Sequence, residues 1–168
     1  MRYHDPRRFG CVLWTDQEIS AHPLFAKLGP EPLTDDFSAN YLVEKSKLKK
    51  KAIKQHIMDN HIVVGVGNIY ACEALFMAGI HPQREAGRIS KPRLSKLRDV
   101  IRQVLQKSID QGGTTLKDFI QSDGQPGYFK QQLNVYDREG QPCHTCQSNI
   151  KRIVQGQRST FYCPKCQK

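Results

Sequence analysis

Cys143-His144-Thr145-Cys146 is followed, after sixteen intervening residues, by Cys163-Pro164-Lys165-Cys166. Each Cys-x-x-Cys pair makes a tight knuckle offering two thiolates, and sixteen residues suffice for a hairpin between knuckles, so the spacing suits a tetrahedral zinc site. Two disulfides or four unrelated thiols are the alternative, and a reducing compartment disfavours the first of these. Four cysteine ligands leave no open coordination position, so the expected Zn2+ is single and structural. His144 reads as a solvated knuckle residue. Cys11 and Cys72 read as small buried hydrophobes. Inside the hairpin lies Gln157-Arg158-Ser159-Thr160-Phe161-Tyr162. Arg158 is either an exposed side chain on a polar turn or a guanidinium held stiffly for a phosphate or groove.

The whole chain supplies context for this finger. Its 168 residues fit one ordinary domain or two small ones, and 38% hydrophobic with 25% charged residues is too mixed for a disordered tail, a collagen or a coiled-coil array. The longest apolar runs fall far short of the roughly 18 residues of a membrane span. The opening Met1-Arg2-Tyr3-His4-Asp5-Pro6 lacks the apolar core of a secretory signal, which points to the cytoplasm. A net charge of +10 points to a polyanionic partner, nucleic acid ahead of a membrane surface.

Working back from the cysteines, the composition predicts a mainly α protein with a small β zinc ribbon. Residues 9–14 have a strand pattern with no evident partner, so the chain reads as truncated there. Residues 22–33 carry three prolines and Gly29 and read as a linker. Helices are predicted near 38–47, 51–60, 68–78 and 92–111, the last with an apolar stripe of Leu94, Leu97, Ile101, Val104, Leu105 and Ile109. Arg93, Lys96, Arg102 and Gln106 are left to face water or a partner. Thr115 with Asp118 suggests a capped short helix after Gly112-Gly113, and 122–127 reads as loop. Short strands are expected at 133–136 and 159–162. The boundaries that follow are 1–20 for a β remnant, 21–34 for a linker, 35–130 for a helical domain and 131–168 for the finger, the last two with separate cores.

Two further motifs have readings left open. Gly65-Val66-Gly67-Asn68-Ile69-Tyr70 is a tight connection between packed helices, or an anion site at a helix start capped by Asn68. The lysines at 45, 47, 49, 50, 51 and 54 would then add ammonium groups to a phosphate clamp. In Asp5-Pro6-Arg7-Arg8-Phe9-Gly10, strand alternation sends Arg7 and Phe9 to one side and Arg8 to the other. That is ordinary packing, or a wedge for a base stack with Arg8 on phosphate.

Together, these motifs, Gly112-Gly113-Thr114-Thr115-Leu116-Lys117-Asp118-Phe119 and the cysteine hairpin closely resemble bacterial formamidopyrimidine-DNA glycosylase. The resemblance covers the whole chain but only the later part of the family's. It implies a helix-two-turns-helix domain followed by a four-cysteine zinc finger, preceded by the last strand of an N-terminal β-sandwich. It also implies excision of oxidised purines such as 8-oxoguanine and formamidopyrimidine, followed by strand cleavage at the abasic site. Arg7 and Phe9 resemble the set that fills the hole left by an everted nucleotide, and Arg8 a backbone contact. Lys50, Lys54 and Asn68 resemble phosphate contacts, and Lys117 with residues 122–128 the region closing over the flipped base. Arg158 resembles the finger arginine that binds phosphate beside the lesion and serves the second elimination step. The implied partner is double-stranded DNA, preferably carrying a lesion or abasic site, and the implied state is a monomer once the sandwich is supplied.

One departure is central. The family's nucleophile is an N-terminal proline followed by glutamates, and this sequence begins Met1-Arg2. The first reading is therefore a damaged-DNA-binding portion without base excision. A free-standing zinc-ribbon module with no repair role is the second. The third is a weak abasic-site lyase with Lys54 as the amine.

Overall fold

The computed structural model describes residues 10–112 and 133–168. Four α-helices and one β-hairpin make up its regular structure: α1 (Ala39–Ser46), α2 (Ile53–Ile57), α3 (Asn68–Ala78), α4 (Lys91–Asp110), β1 (Lys151–Gln155) and β2 (Arg158–Tyr162), with 3-10 turns at Ile19–Ala21 and Ala86–Arg88. The predicted short helix at Thr115 and the loop 122–127 lie outside the described residues.

Helix α3 is the hub, because apolar side chains surround it. Ala71, Ala74, Leu75 and Ala78 join Phe37, Leu42, Ile53, Ile57, Leu97 and Ile101 in the main core. Cys72, with Phe76 beside it, instead joins Val135, Cys143, Ile150, Phe161 and Cys163. The finger thus has a core distinct from the main one, as expected, and α3 contributes Cys72 and Phe76 to it. Glycines bracket the helix. Gly79 takes φ 72°, and the Ile80 N–H reaches back to Leu75 O at 2.9 Å, a Schellman ending that glycine permits without Cβ strain.

Two turns separate α2 from α3. The Asp59 carboxylate accepts the His61 N–H at 3.1 Å in the first, and Gly65 at φ 77° makes the second. The linker is fastened beneath them, with Gly29 N–H donating to Asn60 O at 2.7 Å. A Cβ on Gly29 would stand 2.5 Å from the Ile62 backbone, so glycine is required by close approach.

Helix α4 buries Leu94, Leu97, Val100, Ile101, Val104, Leu105 and Ser108, whereas Ile109 is exposed. Two of its arginines are ties between segments and not solvated charges. Arg93 donates to Gly79 O and Lys168 O, and Arg102 donates to Pro32 O and Thr34 O. Helix α2 is shorter than predicted, because its C-terminal cap falls at Met58, where the first turn begins.

Among the described residues, no strand forms over 10–14, the described part of the strand expected at 9–14, or over 133–136. Within the first of these segments Val12, Leu13 and Trp14 are exposed. At 134–136 the backbone N–H groups go to the Glu73 carboxylate, leaving no ladder to form. β1 and β2 pair antiparallel, Lys151 opposite Tyr162 and Gln155 opposite Arg158, around a turn with Gly156 at φ 57° and Gln157 at φ 60°.

Candidate nucleic-acid interface and zinc site

The cysteine site follows from two knuckles. Gln147 N–H bonds Cys143 O at 2.9 Å and Cys166 N–H bonds Cys163 Sγ at 3.4 Å, so each pair turns its sulfurs inward. All four Sγ atoms lie within 4.8 Å of one another, with Cys143 to Cys166 at 3.9 Å and Cys146 to Cys163 at 3.4 Å. These two separations are too long for disulfide bonds of about 2.05 Å, and all four cysteines are free thiols. A tetrahedron of thiolates at about 2.3 Å from zinc has sulfurs about 3.8 Å apart, so the donor set fits. Hydrogen bonds from Ser148 pull the Cys146 thiol down to about 6, while burial and the other sulfurs push Cys166 up to about 12. Four anionic sulfurs this close need a cation between them, and zinc supplies it as a structural crosslink.

Above the finger, three elements converge. Helix α3 begins at Asn68, with Gly67 as its N-cap, no side-chain cap and no acidic residue in its first turn. Asn68 is therefore the first helical residue and not the cap. Its half-buried first turn, entered through the exposed Gly67, presents the positive end of the helix dipole. The Asn68 Nδ2 group donates to Ser159 O on β2 at 3.0 Å, and its Oδ1 accepts from Lys54 Nζ at 2.5 Å. Lys54 also donates to Thr160 Oγ1 at 2.6 Å.

The predicted site residues divide accordingly. Asn68 and Arg158 are brought together, Arg158 exposed at the start of β2 next to Ser159. Lys50 is exposed in the connection between α1 and α2. Lys54, expected at the surface with the other lysines, is 1% exposed. Burial holds its ammonium below the usual lysine value, with Arg158 adding to the effect and Cys72 opposing it. Lys47 is paired with Glu44 and Lys51 with Asp59 at 2.8 Å, while Lys45 sits over the Tyr41 ring. The lysine run is thus a partly neutralised face. Arg7, Arg8, Phe9, Lys117 and residues 122–128 lie outside the described residues.

Two side chains that order this site escaped the sequence reading. Thr160 is fully buried although strand alternation sets it on the same side as the exposed Arg158, so its spacing carries no signal of burial. Glu73, 1% exposed, looked like an ordinary helix acid. Among the described residues, no helix is long and apolar enough to cross a membrane.

Comparison with known proteins follows the same division. Residues 28–120 match the formamidopyrimidine-DNA glycosylase H2TH domain, more than half of the chain. Residues 140–168 match the zinc finger found in FPG and IleRS. The chain is 58% identical over all 168 residues to the formamidopyrimidine-DNA glycosylase of Thioalkalivibrio sulfidiphilus and 61% to that of Pectobacterium carotovorum, in each case spanning 62% of the relative's length. Among solved structures, the MutM (Fpg) protein of Thermus thermophilus superposes with TM-score 0.91 at 39% identity, over 98% of this chain and 63% of that one. Lactococcus lactis Fpg in complex with abasic-site DNA superposes with TM-score 0.80 at 35% identity, over 86% and 53%.

Proposed function

The chain belongs to the formamidopyrimidine-DNA glycosylase family, and on that premise we propose that its 168 residues are the damaged-DNA-binding portion of a base-excision-repair glycosylase and abasic-site lyase. The substrate class is duplex DNA carrying oxidised purines, 8-oxoguanine and formamidopyrimidine, or the abasic site left after their removal. One observation carries the reading. The uncapped start of α3 with Asn68, and the exposed Arg158 on a zinc-stiffened hairpin, are joined by the bond from Asn68 Nδ2 to Ser159 O. Backbone N–H groups, an amide and a guanidinium gathered on one surface suit a DNA phosphate.

In this reading Lys50 and Arg8 add backbone contacts, Arg7 and Phe9 enter the base stack, and Lys117 with 122–128 approaches the lesion. Arg158 meets the phosphate beside the lesion. Residues 35–130 form the helix-two-turns-helix unit and 131–168 the finger. The setting is the nucleoid of a bacterial cytoplasm, and the working state, once the family's N-terminal domain is supplied, a monomer. Without a prolyl amine, the 168 residues by themselves bind DNA and excise no base.

Titration of the chain into fluorescent duplexes, undamaged or carrying an abasic site, tests this. Preference for the abasic duplex is expected, with log affinity falling against log salt at a slope of about −3 to −4 for some four neutralised phosphates. Equal binding to both duplexes would favour a plain nucleic-acid-binding module, and a flat salt response would remove the phosphate reading.

A further inference from the structure

Lys54 presents an unusual arrangement. Its ammonium is buried, and among the described residues its hydrogen-bond and ion-pair partners include no carboxylate. Such a charge is costly unless its donors are satisfied. The two acceptors come from different elements, Asn68 Oδ1 on α3 and Thr160 Oγ1 on β2, while Lys54 itself belongs to α2. Asn68 then closes the circuit, since its Nδ2 donates to Ser159 O, the neighbour of Thr160.

The directions of these bonds are fixed by chemistry. An ammonium only donates, so Asn68 must turn its oxygen toward Lys54, and its NH2 group then meets a carbonyl. Flipping the amide would set two donors against each other and a carbonyl against a carbonyl. The circuit Lys54–Asn68–Ser159–Thr160 therefore selects one Asn68 orientation and one seating of β2 on α3. Arg158 is the residue before Ser159, so that seating also sets the strand from which its guanidinium projects. The hairpin turn is held nearby as well. A Cβ on Gly156 would come within 2.8 Å of Gln55 Nε2, on the same short helix as Lys54.

We propose that Lys54 and Thr160 are positioning residues that hold Asn68 and the Arg158 end of β2 in one fixed relation, and that Lys54 itself meets no DNA phosphate. This rests on the DNA-binding reading above. The benefit is preorganisation: two phosphate-facing groups on separate elements are aligned before DNA arrives, so less ordering is required on binding. A run of lysines in the sequence thus contains one that acts inward.

The test compares Thr160→Val, Thr160→Ser, Lys54→Met and Arg158→Ala in the full chain, each checked for zinc content and cooperative unfolding. Binding to an abasic-site duplex is measured across a salt series, and the Asn68 side-chain amide is followed by NMR. Thr160→Val is expected to weaken binding roughly tenfold with an unchanged salt slope, and Thr160→Ser, which keeps the hydroxyl, to restore it. Lys54→Met should behave like Thr160→Val, whereas Arg158→Ala should reduce the slope by about one unit. A zinc-replete Lys54→Met protein that loses a full unit of slope would overturn the proposal, because Lys54 would then neutralise a phosphate. Wild-type affinity in Thr160→Val would do the same. Should Lys54→Met fail to fold, the two Thr160 variants decide. Should the wild-type chain ignore duplex DNA, the function proposed above fails, and the amide still judges the circuit: a shifted, faster-exchanging Asn68 NH2 in Thr160→Val upholds it, and an unchanged one refutes it.

Discussion

The Glu73 carboxylate on α3 accepts the backbone N–H of Val135 at 2.9 Å, joining two positions 62 residues apart in the chain. The same carboxylate takes the N–H groups of Asn134 and Tyr136 and the Asn134 amide, at 2.8 to 3.0 Å. A buried anion is thus surrounded by donors. It stands in for a strand partner, of which this segment has none among the described residues.

Glu73→Gln supplies the first prediction. A neutral amide keeps one acceptor oxygen and turns an NH2 group toward backbone donors, so at least one buried N–H is left unpaired. The expected loss is about 2 kcal/mol, which in a chain of this size lowers Tm by roughly 4 to 8 °C in a calorimetric scan. An unchanged Tm would show that water replaces the carboxylate without cost.

Metal removal should reach further than the finger. Zinc loss frees the four sulfurs, and Cys72 of α3 shares their core. Titration with a thiol reagent should find Cys11, which is exposed where burial was expected, reactive in the zinc-loaded protein and the four ligand cysteines only after chelation, with the buried Cys72 following more slowly as the shared core opens. Metal analysis should give one zinc per chain. If Cys72 stays inert after chelation, the core on α3 does not depend on the finger.

Acid should destabilise the fold through His56. Burial, and then Lys51, push this imidazole down to about 4, and its Nε2 has no hydrogen-bond partner among the described residues. The unfolded chain binds the proton near the ordinary value of about 6.5, so between those limits the unfolded state holds more protons. Stability is therefore complete above about pH 6.5 and declines as pH falls toward 4, by up to about 3 kcal/mol. Asp59, held below the usual carboxylate range chiefly by its hydrogen bond from Lys51, adds a further loss at lower pH. His56→Gln should flatten the decline between pH 6.5 and 4 in urea titrations and leave the lower limb. A His56→Gln curve parallel to wild type would assign the acid sensitivity elsewhere.

What the sequence reveals here depends on how local the controlling interaction is. The cysteine spacing constrains the chain within 24 residues, and α3 lies between Gly67 and Gly79, so both were legible. Val135 and Tyr136 carry a strand-like pattern, but the acceptor that captures their backbone lies on another element. Lys54 is likewise indistinguishable from Lys50 or Lys51 by composition. Its neighbours Ile53, His56 and Ile57 are all buried, and only the packed fold makes that face inward. The pairing of Asn68 with β2 spans 91 residues and leaves no trace in spacing.

The last prediction concerns chemistry. The 168-residue chain alone should release no 8-oxoguanine from a duplex in which it faces cytosine, at any protein concentration. Base excision needs an amine free to attack the sugar C1′, and an ordinary lysine near pKa 10.4 is protonated at neutral pH. Lys54 has a depressed pKa that would favour attack, but its Nζ is sealed from solvent and donates to Asn68 and Thr160. Borohydride should therefore trap no Lys54 adduct on abasic DNA, which separates this reading from that of a weak lyase. Fusing the family's N-terminal domain ahead of Met1 should restore release of the free base. Excision by the chain alone would sink the assignment of chemistry to a prolyl amine, and a Lys54 adduct would mean that the circuit around it opens on DNA. A folded fusion that binds abasic duplex without excising would show that the damage-binding surface and a catalytic domain do not combine here as they do in the family.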